Sequence, residues 1–543
     1  MTAEGALLIA VAGLLVIAGA TALAPRARLA APLLLVLLGA GVSALPITPA
    51  IDVEPEWILV GVLPPLLHSA AVSMPTMDLR RELGAIGGLS VVLVLLSTAA
   101  VGGLAALLLP DLPLPWAFAL GAVVSPTDAV ATSIVRRLGV APRVVTLLEG
   151  EGLLNDATAL VLLRSAVAAA AASVSVGGVV VDFLYAVVAA VVIGVLVGRV
   201  VLALRARTSE ATVSTVLSFT VPFLASVPAE QAGASGLVAA VAAGVVTSRR
   251  AAAALPPQHR LSDQQNWRTI ELVLEGAIFL LLGLELRTLL EDVAASGSGV
   301  VSALAVAAAL LATTVLVRAA YVAGLLALLG LQGARSARVR GGVAEMVAHP
   351  AEAAARFQAR RPGRPRPLSD RQFERFRTRA RRVLNDIDHL LATPLGPRDG
   401  AVVVWAGMRG AVTLAAAQTL PEDAAQRSVL VFVAFAVAAG SLLLQGATLP
   451  WVVRAVGPAA ASATSTADDE AAITALLAEA RAAVDAAPTG DMTADLLAVL
   501  DAQRRALLHA RDEGLFASQP LEAALAVLDA DQVRLELRGA PAR

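Results

Sequence analysis

The chain contains no cysteine, which excludes disulfides, thiolate metal sites and cysteine nucleophiles. Aromatic residues fill only 3% of its 543 positions and charged residues only 16%. Alanine, leucine and valine take their place: 57% of the chain is hydrophobic and mean hydropathy is +0.76, a composition that favours a membrane protein. Helices rich in small residues approach one another closely, which suits a compact multi-helix bundle. Net charge is −1 and pI about 6.6, so no excess of basic charge points to nucleic acid. No basic stretch precedes the apolar run at 5–24. Glu4 does, and the run reads as a first spanning helix rather than a cleaved signal peptide.

A spanning helix needs about 20 apolar residues, fewer where an interrupted helix is packed inside protein. Thirteen candidate spans follow, near 5–24, 29–45, 56–73, 84–109, 115–138, 144–172, 178–204, 212–227, 234–248, 268–290, 298–331, 400–420 and 427–456. One set of loops carries Arg26, Arg28, Arg80, Arg81, the group Arg136, Arg137 and Arg143, then Arg205, Arg207, Arg249, Arg250, Arg260 and Arg268. The opposite set carries Asp52, Glu54, Glu56, Asp111, Glu230, Glu291, Asp292, Glu422 and Asp423. The positive-inside rule makes the arginine loops cytoplasmic. The N-terminus is then expected outside the inner (plasma) membrane and the C-terminus in the cytoplasm. Merging the short eighth and ninth spans would put the Arg205 and Arg249 groups on opposite faces, so two helices fit better there than one.

The expected organisation is an all-α polytopic membrane protein with spans 1–11 in residues 1–331 and spans 12–13 in 400–456. Between them, 332–399 form a hydrophilic cytoplasmic loop with an arginine- and proline-rich run at 360–367 and a helix over 369–391. From 457 to 543 the chain turns polar with apolar residues at helical spacing and a break at 488–490, a small helical cytoplasmic tail without a Gly-rich phosphate loop or metal-ligand cluster.

Against this background a few polar groups stand out. Asn155 and Asp156 interrupt the apolar run 153–163 of the sixth span. A charge at mid-membrane costs roughly 2.5–3.5 kcal/mol and is normally retained for ion or proton handling. Glu151 and Asn155 are four apart, as are Gly152 and Asp156, so each pair shares a helix stripe. In the fifth span, Ser125-Pro126-Thr127-Asp128 predicts a broken helix, because proline removes one backbone hydrogen bond and obstructs another. Backbone freed at membrane depth is tolerated where it lines a cavity, and half-helix ends are common ion sites. The twelfth span repeats the theme with Gly407-Met408-Arg409-Gly410, and a buried guanidinium requires a partner, for which Glu151 and Asp128 are candidates. Two such interruptions suggest inverted repeats, although residue identity shows no internal repeat. Glu275 lies near the cytoplasmic end of the tenth span and reads as interfacial, Arg164 and Arg318 as snorkelling or paired, and His68 as a packed histidine able to sense pH.

Four segments together resemble the bacterial monovalent cation/proton antiporters of the sodium/proton exchanger family, in its electroneutral Asn-Asp branch. They are Pro64-Pro65-Leu66-Leu67, Ser125-Pro126-Thr127-Asp128-Ala129-Val130, Glu149-Gly150-Glu151-Gly152-Leu153-Leu154-Asn155-Asp156 and Gly407-Met408-Arg409-Gly410. The resemblance implies a homodimer in which spans five and twelve cross as broken helices. It makes Asp156 the shared carboxylate for the transported cation and proton, with Thr127 lending a backbone carbonyl and Asn155 and Asp128 supporting the crossing. Glu151 is expected to pair with Arg409. His68, Ser69 and Gly152 are secondary candidates, and two of them depart from the family: some members carry a serine ligand where this chain has Gly152 and an acidic ligand in the third span where it has Ser69.

The expectation is therefore a transporter rather than an enzyme, without cofactor. It exchanges Na+ for H+ one for one by alternating access in the bilayer, serving pH and sodium homeostasis, with Li+ or K+ as competing cations. An intramembrane aspartyl protease using Asp128 and Asp156 lacks its glycine-rich setting, and a cation or pH sensor without turnover is the remaining rival.

Overall fold

The computed structural model describes residues 3–27, 29–45, 56–128, 130–171, 176–295, 299–352, 369–457, 463–485 and 492–539. These residues form helices and no β-strand. In order they are α1 (Ala3–Ala27), α2 (Ala31–Ser43), α3 (Trp57–Ser73), α4 (Thr76–Leu108), α5 (Leu114–Val124), α6 (Val130–Arg137) and α7 (Pro142–Ala171). Then come α8 (Val176–Arg205), α9 (Ala211–Gln231), α10 (Gly236–Ala254), α11 (Pro257–Leu284), α12 (Leu286–Ala295) and α13 (Val300–Ala348). The chain continues with α14 (Asp370–Ala392), α15 (Pro397–Trp405), α16 (Ala411–Gln418), α17 (Arg427–Val456), α18 (Ala463–Asp485), α19 (Met492–Glu513) and α20 (Ser518–Gly539). Among the described residues eight helices are long and apolar enough to cross a membrane, namely α1, α4, α7, α8, α9, α10, α13 and α17. The apolar helices α2, α3 and α5 are shorter.

The chain divides into two compact units, residues 1–322 with 398–460 and residues 323–397 with 461–543. In the first, small residues set the helix spacing. At the contact of α2 with α11, a Cβ on Gly39 would lie 2.5 Å from the Leu280 carbonyl oxygen and one on Gly283 would lie 2.3 Å from that of Val36. The two backbones touch, which only glycine on both sides permits. Residues 211–254 form the separate helices α9 and α10, turned at Gly233 with φ +72° and restarted at Ser235, whose side chain accepts the Val238 N–H.

Two helices differ from the sequence reading. The helix that carries the tenth span begins at Pro257, ahead of the apolar run near 268, and ends at Leu284. The eleventh continues to Ala348, because 332–348 offers alanine, valine and arginine without a proline. In the second unit, α18, α19 and α20 enclose a core of Ile473, Leu500, Leu507, Leu521, Leu525 and Leu528. The loop helix α14 opens with a reciprocal Ser369 and Gln372 cap and docks on α19 through Arg382 to the Asp512 carbonyl at 2.6 Å and Asn385 to that of Glu513 at 2.9 Å. The run 360–367 and the break at 488–490 lie outside the described residues.

Candidate functional site

Helix α5 stops at Val124 and α6 resumes at Val130; α15 stops at Trp405 and α16 resumes at Ala411. Proline 126 has no N–H for the helix ladder, and the glycines at 407 and 410 leave room for close approach. The two non-helical stretches meet: the Asp128 N–H donates to the Met408 carbonyl at 2.7 Å. The Asp128 carboxylate accepts the Val130 N–H at 3.0 Å, capping the start of α6. Its other oxygen lies so near Gly410 that a Cβ there would fall 1.3 Å from it.

The sequence reading paired Glu151 with Arg409, and the structure corrects this. Glu151 on α7 is 1% exposed and takes Arg318 of α13 in a two-pronged bond, Nη2 lying 2.8 Å from Oε2 and Nη1 bonding Oε1. A planar guanidinium fork satisfies both carboxylate oxygens at once, which is the favoured arrangement for a buried pair. Arg409 serves the crossing instead. Its Nε donates to the Val124 carbonyl at 3.1 Å and its Nη1 to that of Gly407, both freed by the helix breaks. Arg318 also donates to the Val403 carbonyl at 2.9 Å, so two arginines bind carbonyls that the second interrupted helix cannot satisfy itself. The available clue to Arg318 was its position in an apolar run, since a buried arginine demands a carboxylate.

Asn155 is fully buried and donates to Thr127 twice, to Oγ1 at 2.7 Å and to the carbonyl at 3.2 Å. Thr127 Oγ1 in turn donates to Glu151 at 3.0 Å. The chain Arg318, Glu151, Thr127, Asn155 thus anchors α7 to the first break. Asp156, the next residue, is 6% exposed, and its Oδ1 is buried with no hydrogen-bond partner among the described residues.

That carboxylate lines a cavity of about 180 Å³. Thr127, Asp128 and Gly152 share its wall with Asp156, so these four expected site residues come together. Asn155, Glu151 and Arg409 stand behind the wall. His68 is buried, with Nδ1 3.1 Å from the Ala240 carbonyl oxygen and its ring 5.5 Å from that of Trp267, and neither it nor Ser69 lines the cavity. Ser69 instead hydrogen bonds Glu271. Glu271 and Glu275 of α11 do line it. Among the described residues the lining contains no lysine, arginine or histidine. Such a chamber attracts cations and protons and repels anions.

An all-helical membrane protein whose interrupted helices meet beside a carboxylate-lined cavity has the architecture of a secondary transporter. The chain belongs to the sodium/hydrogen exchanger family, whose transmembrane region matches residues 12–357. It is 38% identical over 254 residues to the uncharacterised Na+/H+ exchanger YjcE of Escherichia coli, covering 44% of this chain and 46% of that protein. It is 27% identical over 446 residues to an uncharacterised Na+/H+ exchanger of Mycobacterium tuberculosis, covering 80% of this chain and 71% of the other. The sodium, potassium, lithium and rubidium/H+ antiporter of Bacillus subtilis is 30% identical over 266 residues, 47% of this chain and 39% of that one. The fold is similar to that of the sodium proton antiporter MjNhaP1 of Methanocaldococcus jannaschii, with a TM-score of 0.57 at 16% identity, covering 83% of this chain and 99% of that one.

Proposed function

We propose that the protein exchanges a monovalent cation, sodium first, for a proton by alternating access, with both ions competing for Asp156. The observation that carries this is the buried, unpartnered Oδ1 of Asp156 on a cavity without a cationic side chain. A carboxylate in that setting is satisfied by a proton or by a cation, and one carboxylate holds them in turn. Competition makes the exchange obligatory and, with one charge replacing another, electroneutral. Thr127 supplies oxygen beside the site, and Asn155 and Asp128 hold the crossing in register. Hard oxygen donors suit sodium. Potassium is the second reading, favoured by the Bacillus subtilis relative, whose name includes potassium, lithium and rubidium. In the cell the protein works as a homodimer in the inner membrane with the N-terminus outside and the C-terminus in the cytoplasm, regulating pH and sodium. The test is purified protein in liposomes with an internal pH dye. Sodium pulses should move protons in the wild type without creating a membrane potential, and Asp156→Asn should not respond. Ion binding without flux would make it a sensor, and a potential would exclude one-for-one exchange.

A further inference from the structure

The cavity is lined by more carboxyl groups than one ion in transit needs. Besides Asp156 and Asp128 it is lined by Glu271 and Glu275, one turn apart on the same face of α11. Farther along that face Ile278 and Phe279, 6% and 3% exposed, close the wall with apolar surface, joined by Leu63 of α3. The α11 wall therefore runs from carboxylates to a greasy plug. The charged neighbours of Glu275 are Asp128 and Glu271 on the acidic side and Arg137 on the basic side, and those of Glu271 include Arg136 and Arg268. The two glutamates thus face the arginine-bearing end of the helices.

An independent feature marks the same space. Thr413 on α16 is 1% exposed, lines the cavity, and its Oγ1 has no hydrogen-bond partner among the described residues. A buried hydroxyl left unpaired costs about 1–3 kcal/mol, so its retention calls for a ligand that supplies the missing contact. Gly152 keeps the opposite wall open: a Cβ there would meet nothing within 4 Å. At about 180 Å³ the chamber has room for several waters, each occupying about 30 Å³ in the liquid, and hence for a partly hydrated cation beside the one at Asp156.

We propose that Glu275, with the Thr413 hydroxyl and water, forms a second monovalent-cation position in this cavity, separate from Asp156, where the incoming ion is held before transfer. The proposal rests on the cavity being the transport path. A carboxylate that holds the waiting ion raises its local concentration and lowers the sodium concentration needed for half-maximal exchange, without setting the turnover itself.

Two measurements separate this from the role of Asp156. In liposomes, Glu275→Gln is expected to raise the apparent KM for sodium about tenfold while keeping at least half of the maximal rate, and Thr413→Val to raise it about threefold. In detergent, sodium chloride titrated against choline chloride should still raise the melting temperature of Asp156→Asn. It should no longer do so in the double variant with Glu275→Gln. The second position is overturned if Glu275→Gln leaves KM unchanged, if a folded Glu275→Gln protein loses exchange at saturating sodium, or if sodium fails to stabilise Asp156→Asn. Persistence of exchange in Asp156→Asn would strike the central role of Asp156 alone.

Discussion

Glu151 and Asp156 lie on one helix, five residues apart, both buried, yet their surroundings are opposite. Glu151 is saturated: Arg318 takes both oxygens and Thr127 adds a third bond. Asp156 has an oxygen with no partner and a cavity in front of it. A buried charge satisfied completely acts as a strut, and one left incomplete is a candidate binding site. The same residue class in the same helix is thus saturated at one turn and left open to the cavity at the next.

The contrast is sharpest in Asp156→Asn. Exchange should fall to the background of empty liposomes while the melting temperature stays at or above that of the wild type, because an unpaired buried charge has been removed. Glu151→Gln should act the other way round. It strands Arg318, costing about 3–5 kcal/mol, and the loss is read as a lower melting temperature and poor recovery of folded protein. Equal stability losses in the two variants would break the comparison. Between these extremes lies Gly410→Ala, whose methyl group would collide with the Asp128 carboxylate and spread the crossing. A cost of about 1–3 kcal/mol is expected by thermal unfolding, with slower exchange. The smallest effect belongs to Gly152→Ala. Open space awaits its methyl group, and alanine favours a helix over glycine by about 0.5–1 kcal/mol, so the melting temperature should hold or rise slightly.

Much of the site is legible in the sequence because membrane burial makes charge conspicuous. Asp156 announces itself in an apolar run, and Pro126 marks the break that brings Thr127 and Asp128 to the cavity. The partner of Glu151 is not legible, since Arg318 and Arg409 are both single arginines in apolar stretches and each needs buried acceptors. Which of them meets Glu151 depends on how α13 packs, 167 residues away in sequence. The place of Glu275 on the cavity wall is not legible either: the sequence shows a glutamate toward the cytoplasmic end of a span, and only the packing of α11 brings it onto the wall that Asp156 also lines.

By itself, the sequence determines the all-helical membrane class and singles out the interruption at Pro126 and the carboxylate of Asp156 as exceptional. These follow from local causes: apolar length, a missing N–H and the cost of charge in hydrocarbon. Only the tertiary structure decides that Arg318 saturates Glu151, that Arg409 binds the carbonyls of the crossing, and that Glu275 and Thr413 share a chamber with Asp156. Those outcomes depend on how distant segments pack around the buried charges, and pairing across such separations leaves no periodic trace along the chain.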